Sequence, residues 1–145
     1  MGKKVIYIPG PVVPKGRPRF VLNKYTGRPD VYTPKRTKDY EKHVSNCAKA
    51  VVKNPIEGYI QVTIKIYFAP TKSWTKKKKE QAHNGEIKPH VADIDNMAKS
   101  ILDGLNKIAF PDDKFIYKLN LEKGFGDKDE AIVIIETVES EVDNV

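Results

Sequence analysis

The chain has 145 residues, of which 39% are hydrophobic and 31% charged, and its formal net charge at pH 7 is +7. No stretch approaches the roughly 18 consecutive apolar residues of a membrane span, and the N-terminus lacks the features of a secretory signal. The single cysteine, Cys47, excludes an internal disulfide and a thiolate zinc site. We therefore expect one soluble domain in a reducing cytoplasm, without membrane association.

The charge is unevenly distributed along the chain. Lysine and arginine crowd the first third, whereas the last residues are acidic. We expect one domain over residues 1–138, followed by an acidic tail over residues 139–145. The basic surface favours a nucleic-acid partner, and a simple solvated lysine-rich surface is the alternative.

The N-terminal third predicts a strand, a long connection and a helix. Residues 4–8 read as a strand that Pro9 ends. Residues 9–34 are rich in proline, glycine and basic side chains, which predicts either an ordered functional loop or a short ribbon around residues 19–22. Apolar positions spaced three and four apart then predict a helix from Thr37, or just before it, to about Lys53.

The rest of the chain alternates strands and helices. Residues 58–68 alternate apolar with polar and predict a long strand, and Ser73 could cap a short basic helix over residues 74–83. A second amphipathic helix is predicted from residue 95 or 96 to residue 106. Strands are predicted over residues 115–121 and 131–138, joined as a hairpin by a turn near residues 126–129. This pattern indicates an α+β fold, a small mixed sheet packed with two to three helices.

The helix near residue 95 carries the most informative pattern. Asp95, Lys99, Asp103 and Asn106 recur on one polar face, apart from the apolar stripe. Asp93 precedes Asp95 by two residues, so both carboxylates point the same way in an extended approach to the helix N-terminus.

Acids this close together need a compensating cation, either a lysine or a hard divalent metal such as Mg²⁺. Asp112 and Asp113 follow in a turn and could approach the same place. We interpret the group as a metal-dependent site with oxygen ligands. In the alternative interpretation Asp95 caps the helix, and Asp95, Lys99 and Asp103 form i,i+4 salt bridges.

Taken together, these residues resemble the RusA-type crossover junction endodeoxyribonucleases. That family's signature is Asp-x-Asp-Asn at a helix start, a lysine four residues after the second Asp, a further Asp before Leu-Asn, and Asp-Asp before a strand. The matching segments are residues 93–96, Lys99, residues 103–106 and residues 112–116, with further similarity at residues 10–11, 15–20, 32–34 and 40–41. The resemblance extends to about Ile135. Many members place proline directly before the first Asp, where this chain has Ala92.

The resemblance implies a homodimeric, cytoplasmic enzyme of a bacterium or phage that resolves Holliday junctions in DNA recombination and repair. Its implied cofactor is Mg²⁺, with Mn²⁺ as a substitute, and its partner is branched DNA, not a small molecule or a membrane. The implied catalytic residues are Asp93, Asp95, Lys99 and Asp113, and the three aspartates are the implied metal ligands. Asp103, Asp112 and Asn96 are implied as supporting residues.

Phosphate contacts are expected from basic side chains in three segments of the chain. These are Lys15, Arg17, Arg19, Lys35, Arg36, Lys76, Lys77 and Lys78. Trp74 is expected to pack beneath its helix in preference to stacking on a base. Two other functions remain open: a non-catalytic DNA-binding module, and a less selective metal-dependent nuclease acting on branched or flap DNA.

Overall fold

The computed structural model describes residues 2–17 and 19–138, and the predicted acidic tail, residues 139–145, lies outside them. The described chain forms a single small α+β domain. Its elements, in order, are β1 (Lys3–Pro9), β2 (Arg19–Leu22), β3 (Pro29–Tyr32), α1 (Lys35–Val51), β4 (Ile60–Phe68), α2 (Lys76–His83), α3 (Ile94–Leu105), a 3₁₀ turn (Asp113–Phe115), β5 (Ile116–Phe125) and β6 (Glu130–Thr137).

Four of the strands form a mixed sheet in the order β1-β6-β4-β5. Strand β6 pairs antiparallel with both β1 and β4, whereas β4 and β5 are parallel. The crossover from β4 to β5 contains α2 and α3, so α3 is carried back across the sheet before β5 begins. Strands β2 and β3 form a separate antiparallel ribbon, the second of the two arrangements that the basic segment allowed.

The core lies between one face of the sheet and the helices α1 and α3. Alternate residues of β4 are buried, from Ile60 to Phe68, as the alternating sequence predicts. They share the core with Val44 of α1 and with Met97 and Ile101 of α3. The apolar stripe of α3 therefore packs inward, and its polar face remains available. None of the helices in the described ranges combines the length and the apolar character needed to cross a bilayer.

The predicted hairpin between the last two strands is wrong. Strand β4 lies between β5 and β6, and the connection passes over the end of β4. Gly126 N donates to the Phe68 carbonyl at 2.9 Å, and Ala69 N donates to Asp129 Oδ1 at 2.8 Å. A sequence rich in turn residues predicts a reversal of the chain but does not specify which strand lies beside the next one.

The predicted cap of α2 is also wrong. Thr75, not Ser73, caps the helix, and its hydroxyl accepts a hydrogen bond from Lys78 N at 3.2 Å. Trp74 therefore precedes the helix. Its ring packs edge-on against Phe125 with centroids 5.4 Å apart, and Lys78 Nζ lies 4.3 Å from the Trp74 ring centroid. This agrees with the predicted packing role of Trp74.

Candidate active site

The start of α3 presents two carboxylates to solvent. Asp93 occupies the N-cap position in an extended conformation, and its carbonyl accepts a hydrogen bond from Met97 N at 3.1 Å. Its side chain makes no capping hydrogen bond. Asp95 lies in the first turn, where its Oδ1 accepts from Asn96 N at 3.0 Å. Both carboxylates are exposed, so a ligand can reach them. Both also lie at the helix N-terminus, where the helix dipole favours negative charge.

The approach to Asp93 has an unusual backbone conformation. Ala92 has φ 59°, in the left-handed region that non-glycine residues rarely adopt. Lys123 Nζ, from β5, donates to the Ala92 carbonyl at 3.0 Å and holds this bend. Proline, which many family members have before the first Asp, is confined to φ near −65°. Alanine at position 92 therefore allows a backbone conformation before Asp93 that proline could not adopt.

The i,i+4 salt-bridge ladder of the alternative interpretation is not formed along α3 within the described part of the chain. Asp103 pairs instead with Lys15, whose Nζ lies 2.9 Å from Asp103 Oδ2. Lys99 is exposed and makes no ion pair with a described residue, and Asp95 does not cap the helix. The alternative interpretation of this helix, as a capped and salt-bridged surface, therefore loses the contacts on which it depends.

Lys15 joins the two helices that form the site. Its ammonium group also lies 3.0 Å from Glu41 Oε1 on α1, and its side chain is only 17% exposed. Its backbone N donates to the Asn96 carbonyl at 2.9 Å. Burial alone would lower the pKa of Lys15, but the hydrogen bonds and charges of Asp103 and Glu41 outweigh it and raise the pKa. Sequence reasoning placed Lys15 only among the phosphate contacts and missed this bridge.

The turn before β5 brings two further carboxylates together. Asp112 Oδ1 accepts from Lys114 N at 3.0 Å, and this bond, with one shared with Asp113, lowers the pKa of Asp112. The bond shared with Asp112 raises the pKa of Asp113, as do lost hydration and the charges of Asp112 and Asp103, while Lys99 lowers it. Asp113 therefore lies within electrostatic reach of Asp103 and Lys99 on α3.

The expected set of three metal ligands is not assembled within residues 2–17 and 19–138. No three His, Cys, Asp or Glu side chains there lie close enough together to hold a metal ion. The donors fit Mg²⁺ in kind, since Asp93, Asp95 and Asp113 are exposed carboxylates and hard oxygen ligands.

The predicted phosphate contacts occupy different parts of the surface. Arg17 and Arg36 line one groove beside the first turn of α1, and Lys35 is exposed and paired with Asp39 at 2.7 Å. Lys76 and Lys77 are exposed on α2. The side chain of Arg19 lies outside the described part of the structure. Of these groups, the one at the start of α1 is nearer in sequence to Lys15, which is hydrogen-bonded to Asn96 and paired with Asp103 of α3.

Comparison with known proteins identifies the family of the chain. A family model described as "Endodeoxyribonuclease RusA" matches residues 9–136, which include all the candidate catalytic positions. The chain belongs to this family. RusA proteins are endodeoxyribonucleases that resolve Holliday junctions, and they generally depend on a divalent metal. The chain is also 29% identical over 133 residues to "Uncharacterized protein YqaN" of Bacillus subtilis (strain 168), covering 89% of this chain and 92% of that protein.

Proposed function

We propose that this RusA-family chain is a Mg²⁺-dependent, structure-selective endodeoxyribonuclease that resolves four-way DNA junctions by paired symmetric cuts in recombination and repair. The observation that carries the proposal is the family match over residues 9–136, which spans both halves of the acidic motif. The exposure of Asp93 and Asp95 at the start of one helix supports it, because catalytic acids must be reachable by DNA.

Asp93, Asp95 and Asp113 are the proposed ligands of the divalent ion, with Asp103, Asp112 and Asn96 in support. When bound, such an ion activates water and neutralises charge that develops on the phosphate. Asp113 is included because it is an exposed carboxylate within electrostatic reach of Asp103 and Lys99 on α3. Mn²⁺, another hard cation, is expected to substitute for Mg²⁺.

Lys99 is the proposed basic residue of the reaction. It is exposed and engaged in no ion pair within the described residues, so its ammonium group is free to approach a phosphate oxygen. Its charge already acts on Asp113. In this position Lys99 offsets the carboxylate repulsion and stabilises negative charge on the phosphoryl or leaving oxygen.

Two symmetric cuts favour a homodimer. A four-way junction has two-fold symmetry, so an isologous pair with two equivalent sites is the simplest arrangement that cuts opposed strands. The proposed phosphate contacts come from the N-terminal segment, the start of α1 and α2: Lys15, Arg17, Arg19, Lys35, Arg36, Lys76, Lys77 and Lys78. Such contacts position the DNA and carry little sequence information.

A non-catalytic DNA-binding module is the second candidate. The absence of a three-ligand acid cluster from the described ranges favours it. In that case the basic surface would hold DNA, and the acids would take no part in a reaction. Mg²⁺ would then have no effect beyond general charge screening.

The test is cleavage of a labelled synthetic four-way junction beside linear duplex, a flap substrate and single strand, with Mg²⁺ or EDTA. Asp95→Asn and Lys99→Met are compared with Asp127→Asn, a matched control because Asp127 is exposed in the β5–β6 loop. We expect paired nicks in the junction for the wild type and the control. Asp95→Asn should abolish cutting while junction binding persists, and Lys99→Met should impair cutting more than binding.

Three outcomes are informative. Junction binding without metal-dependent cutting would overturn the catalytic proposal in favour of the binding module. Equal cutting of junction and flap substrates would show a less selective nuclease. Retained cutting by Asp95→Asn would remove that residue from the proposed ligands.

A further inference from the structure

The β2–β3 ribbon carries an apolar face that remains exposed. In the antiparallel register Phe20 lies opposite Val31. Two residues further along β2, Leu22 lies opposite Pro29. Directly opposite residues and alternate residues of a strand point to the same side, so these four side chains form one surface, the apolar face of the ribbon. Phe20 is 73% exposed, Leu22 65% and Val31 59%, and none of the four belongs to the hydrophobic core of the described chain.

Hydrogen bonds at its tip hold the ribbon in shape. Asn23 Oδ1 accepts from Tyr25 N at 2.8 Å and from Thr26 N at 3.2 Å. The Nδ2 atom of Asn23 donates to Asp30 Oδ2 at 2.8 Å, and its backbone N donates to the Arg28 carbonyl at 2.8 Å. One asparagine therefore closes the turn between the two strands. These bonds keep the apolar face presented although no core lies beneath it.

The base of the ribbon is attached to the start of α3. A Cβ atom on Gly16 would lie 2.9 Å from Pro34 Cγ, so the two ends of the ribbon segment are packed together. Next to Gly16, Lys15 N donates to the Asn96 carbonyl at 2.9 Å. Asn96 belongs to the first turn of α3, beside the candidate acids. The ribbon therefore begins beside the candidate active site.

Exposed cations accompany the apolar face. Arg17 precedes β2, and Lys24 and Arg28 lie in the turn that joins β2 to β3. All three are exposed, and none forms an ion pair with a described residue. Asp30 is the only acidic residue in the sequence between positions 15 and 34. A second copy of this chain would bring the same positive charge to the contact, whereas DNA brings negative charge, so the charge favours DNA.

We propose that the ribbon enters DNA at a branch point, where its apolar face packs against unstacked bases and Phe20 stacks on one of them. Arg17, Lys24 and Arg28 contact the phosphates on either side. The side chains of the apolar face offer no hydrogen bond to a base edge, so they do not suit sequence readout in a groove. Phenylalanine, leucine and proline are among the side chains that proteins insert between bases. The inference rests on the proposed function for the presence of DNA, and it assigns recognition of the branch to the ribbon.

Two measurements in EDTA, where metal-dependent cleavage plays no part, test the inference. Fluorescence anisotropy gives the affinity for a labelled four-way junction and for a linear duplex. The fluorescence of 2-aminopurine at the branch point, recorded at saturating protein, reports unstacking of that base, and the same probe in the middle of an arm is its control. Phe20→Ala and Leu22→Ala remove side chains from the apolar face. Val21→Ala is the matched control, because Val21 is exposed on the same strand and points to the other side of the ribbon.

We expect Phe20→Ala to weaken junction binding about 5- to 150-fold, the value of one base–aromatic stack, and to leave duplex binding unchanged. Leu22→Ala should weaken junction binding by a smaller factor, and Val21→Ala should leave it unchanged. Phe20→Tyr keeps the ring and should bind the junction as wild type does. Wild type should raise the fluorescence of 2-aminopurine at the branch point, and Phe20→Ala should not. All four variants should melt near the wild-type temperature, because the replaced side chains are exposed.

Equal affinity of Phe20→Ala and wild type for the junction would overturn the inference. So would an equal loss of junction and duplex affinity, or an equal loss for Phe20→Ala and Val21→Ala. If Phe20→Ala altered only the mass measured by sedimentation, the apolar face would be a contact between copies of the chain. Cleavage of the junction with Mg²⁺ separates these failures from that of the proposed function. Wild type that cuts the junction while Phe20→Ala binds it equally well loses only the inference, whereas Phe20-dependent binding without cutting loses only the catalytic proposal.

Discussion

Replacing Gly104 by alanine tests how closely α1 and α3 must approach each other. A Cβ atom at this position would lie 2.7 Å from Val44 Cβ and 2.8 Å from the Glu41 backbone oxygen. Ser45 Oγ donates to the Gly104 carbonyl at 2.6 Å across the same contact. The Lys15 bridge from Glu41 to Asp103 spans these helices as well. The contact therefore sets the position of α3 and its acids.

Two opposing contributions give the expected change in the free energy of unfolding. The new Cβ would be roughly 0.8 Å short of an ordinary carbon contact of about 3.5 Å. Neither close neighbour can rotate away, so the cost lies near the upper end of the usual range for overpacking, about 3 kcal/mol. Alanine recovers about 1 kcal/mol of helix propensity relative to glycine. The net expected loss is about 2 kcal/mol of unfolding free energy.

Calorimetry or circular dichroism gives the measurement. For a chain of 145 residues, this loss corresponds to a fall in Tm of about 7 °C. Gly124→Ala is the control, because a Cβ at Gly124 in β5 meets nothing within 4 Å. It should leave Tm unchanged or slightly raised. A Gly104→Ala variant that melts with the control or above it would refute the close approach of the helices.

Three further predictions concern protonation and polar groups. Lys15→Met should destabilise the wild-type fold by about 1–2 kcal/mol at neutral pH by leaving two partly buried carboxylates unpaired. The Lys15 pKa is raised in the folded state, so the stability difference between wild type and Lys15→Met should be complete below about pH 10.5. It should shrink as pH rises through the folded pKa. Melting curves at several pH values give this dependence. Asp113→Asn should raise Tm in EDTA near pH 7, because a raised pKa of Asp113 means that its ionised form disfavours folding. This gain in Tm should vanish at pH values below the pKa of Asp113 in the unfolded chain. The increase in Tm on adding Mg²⁺ should be larger for wild type than for the variant. Tyr40→Phe should melt at or above the wild-type temperature, since it removes an unpaired buried hydroxyl, and a clear fall in Tm would show that the hydroxyl has a partner.

The sequence predicted the elements that carry the site well. The alternation in β4 and the three- and four-residue spacing in α3 each specify a buried face, because backbone geometry fixes the period of the side chains. Asp93, Asp95 and the polar face of α3 therefore appear where the spacing places them. The match of the family model to residues 9–136 confirms the resemblance on which the functional prediction depended.

The wrong hairpin prediction and the salt-bridge ladder of the alternative interpretation have one feature in common. Both pair segments or side chains that are neighbours in sequence. In the structure β4 separates β5 from β6, and Lys15 from the N-terminal loop pairs with Asp103 in place of Lys99. Turn residues and i,i+4 spacing indicate that a contact is available, but a better partner from elsewhere in the chain can replace it.

Local sequence patterns specified most of the helices and strands and their buried faces. They also showed five aspartates within residues 93–113. These properties depend on local backbone geometry and on residues a few positions apart. Four features came only from the packed structure: the strand order, the contact at Gly104, the bridge from Lys15 to Glu41 and Asp103, and the unpaired hydroxyl of Tyr40. Each of these features depends on how segments that are distant in sequence pack together. The local periodicity of a sequence does not specify which distant segments come into contact.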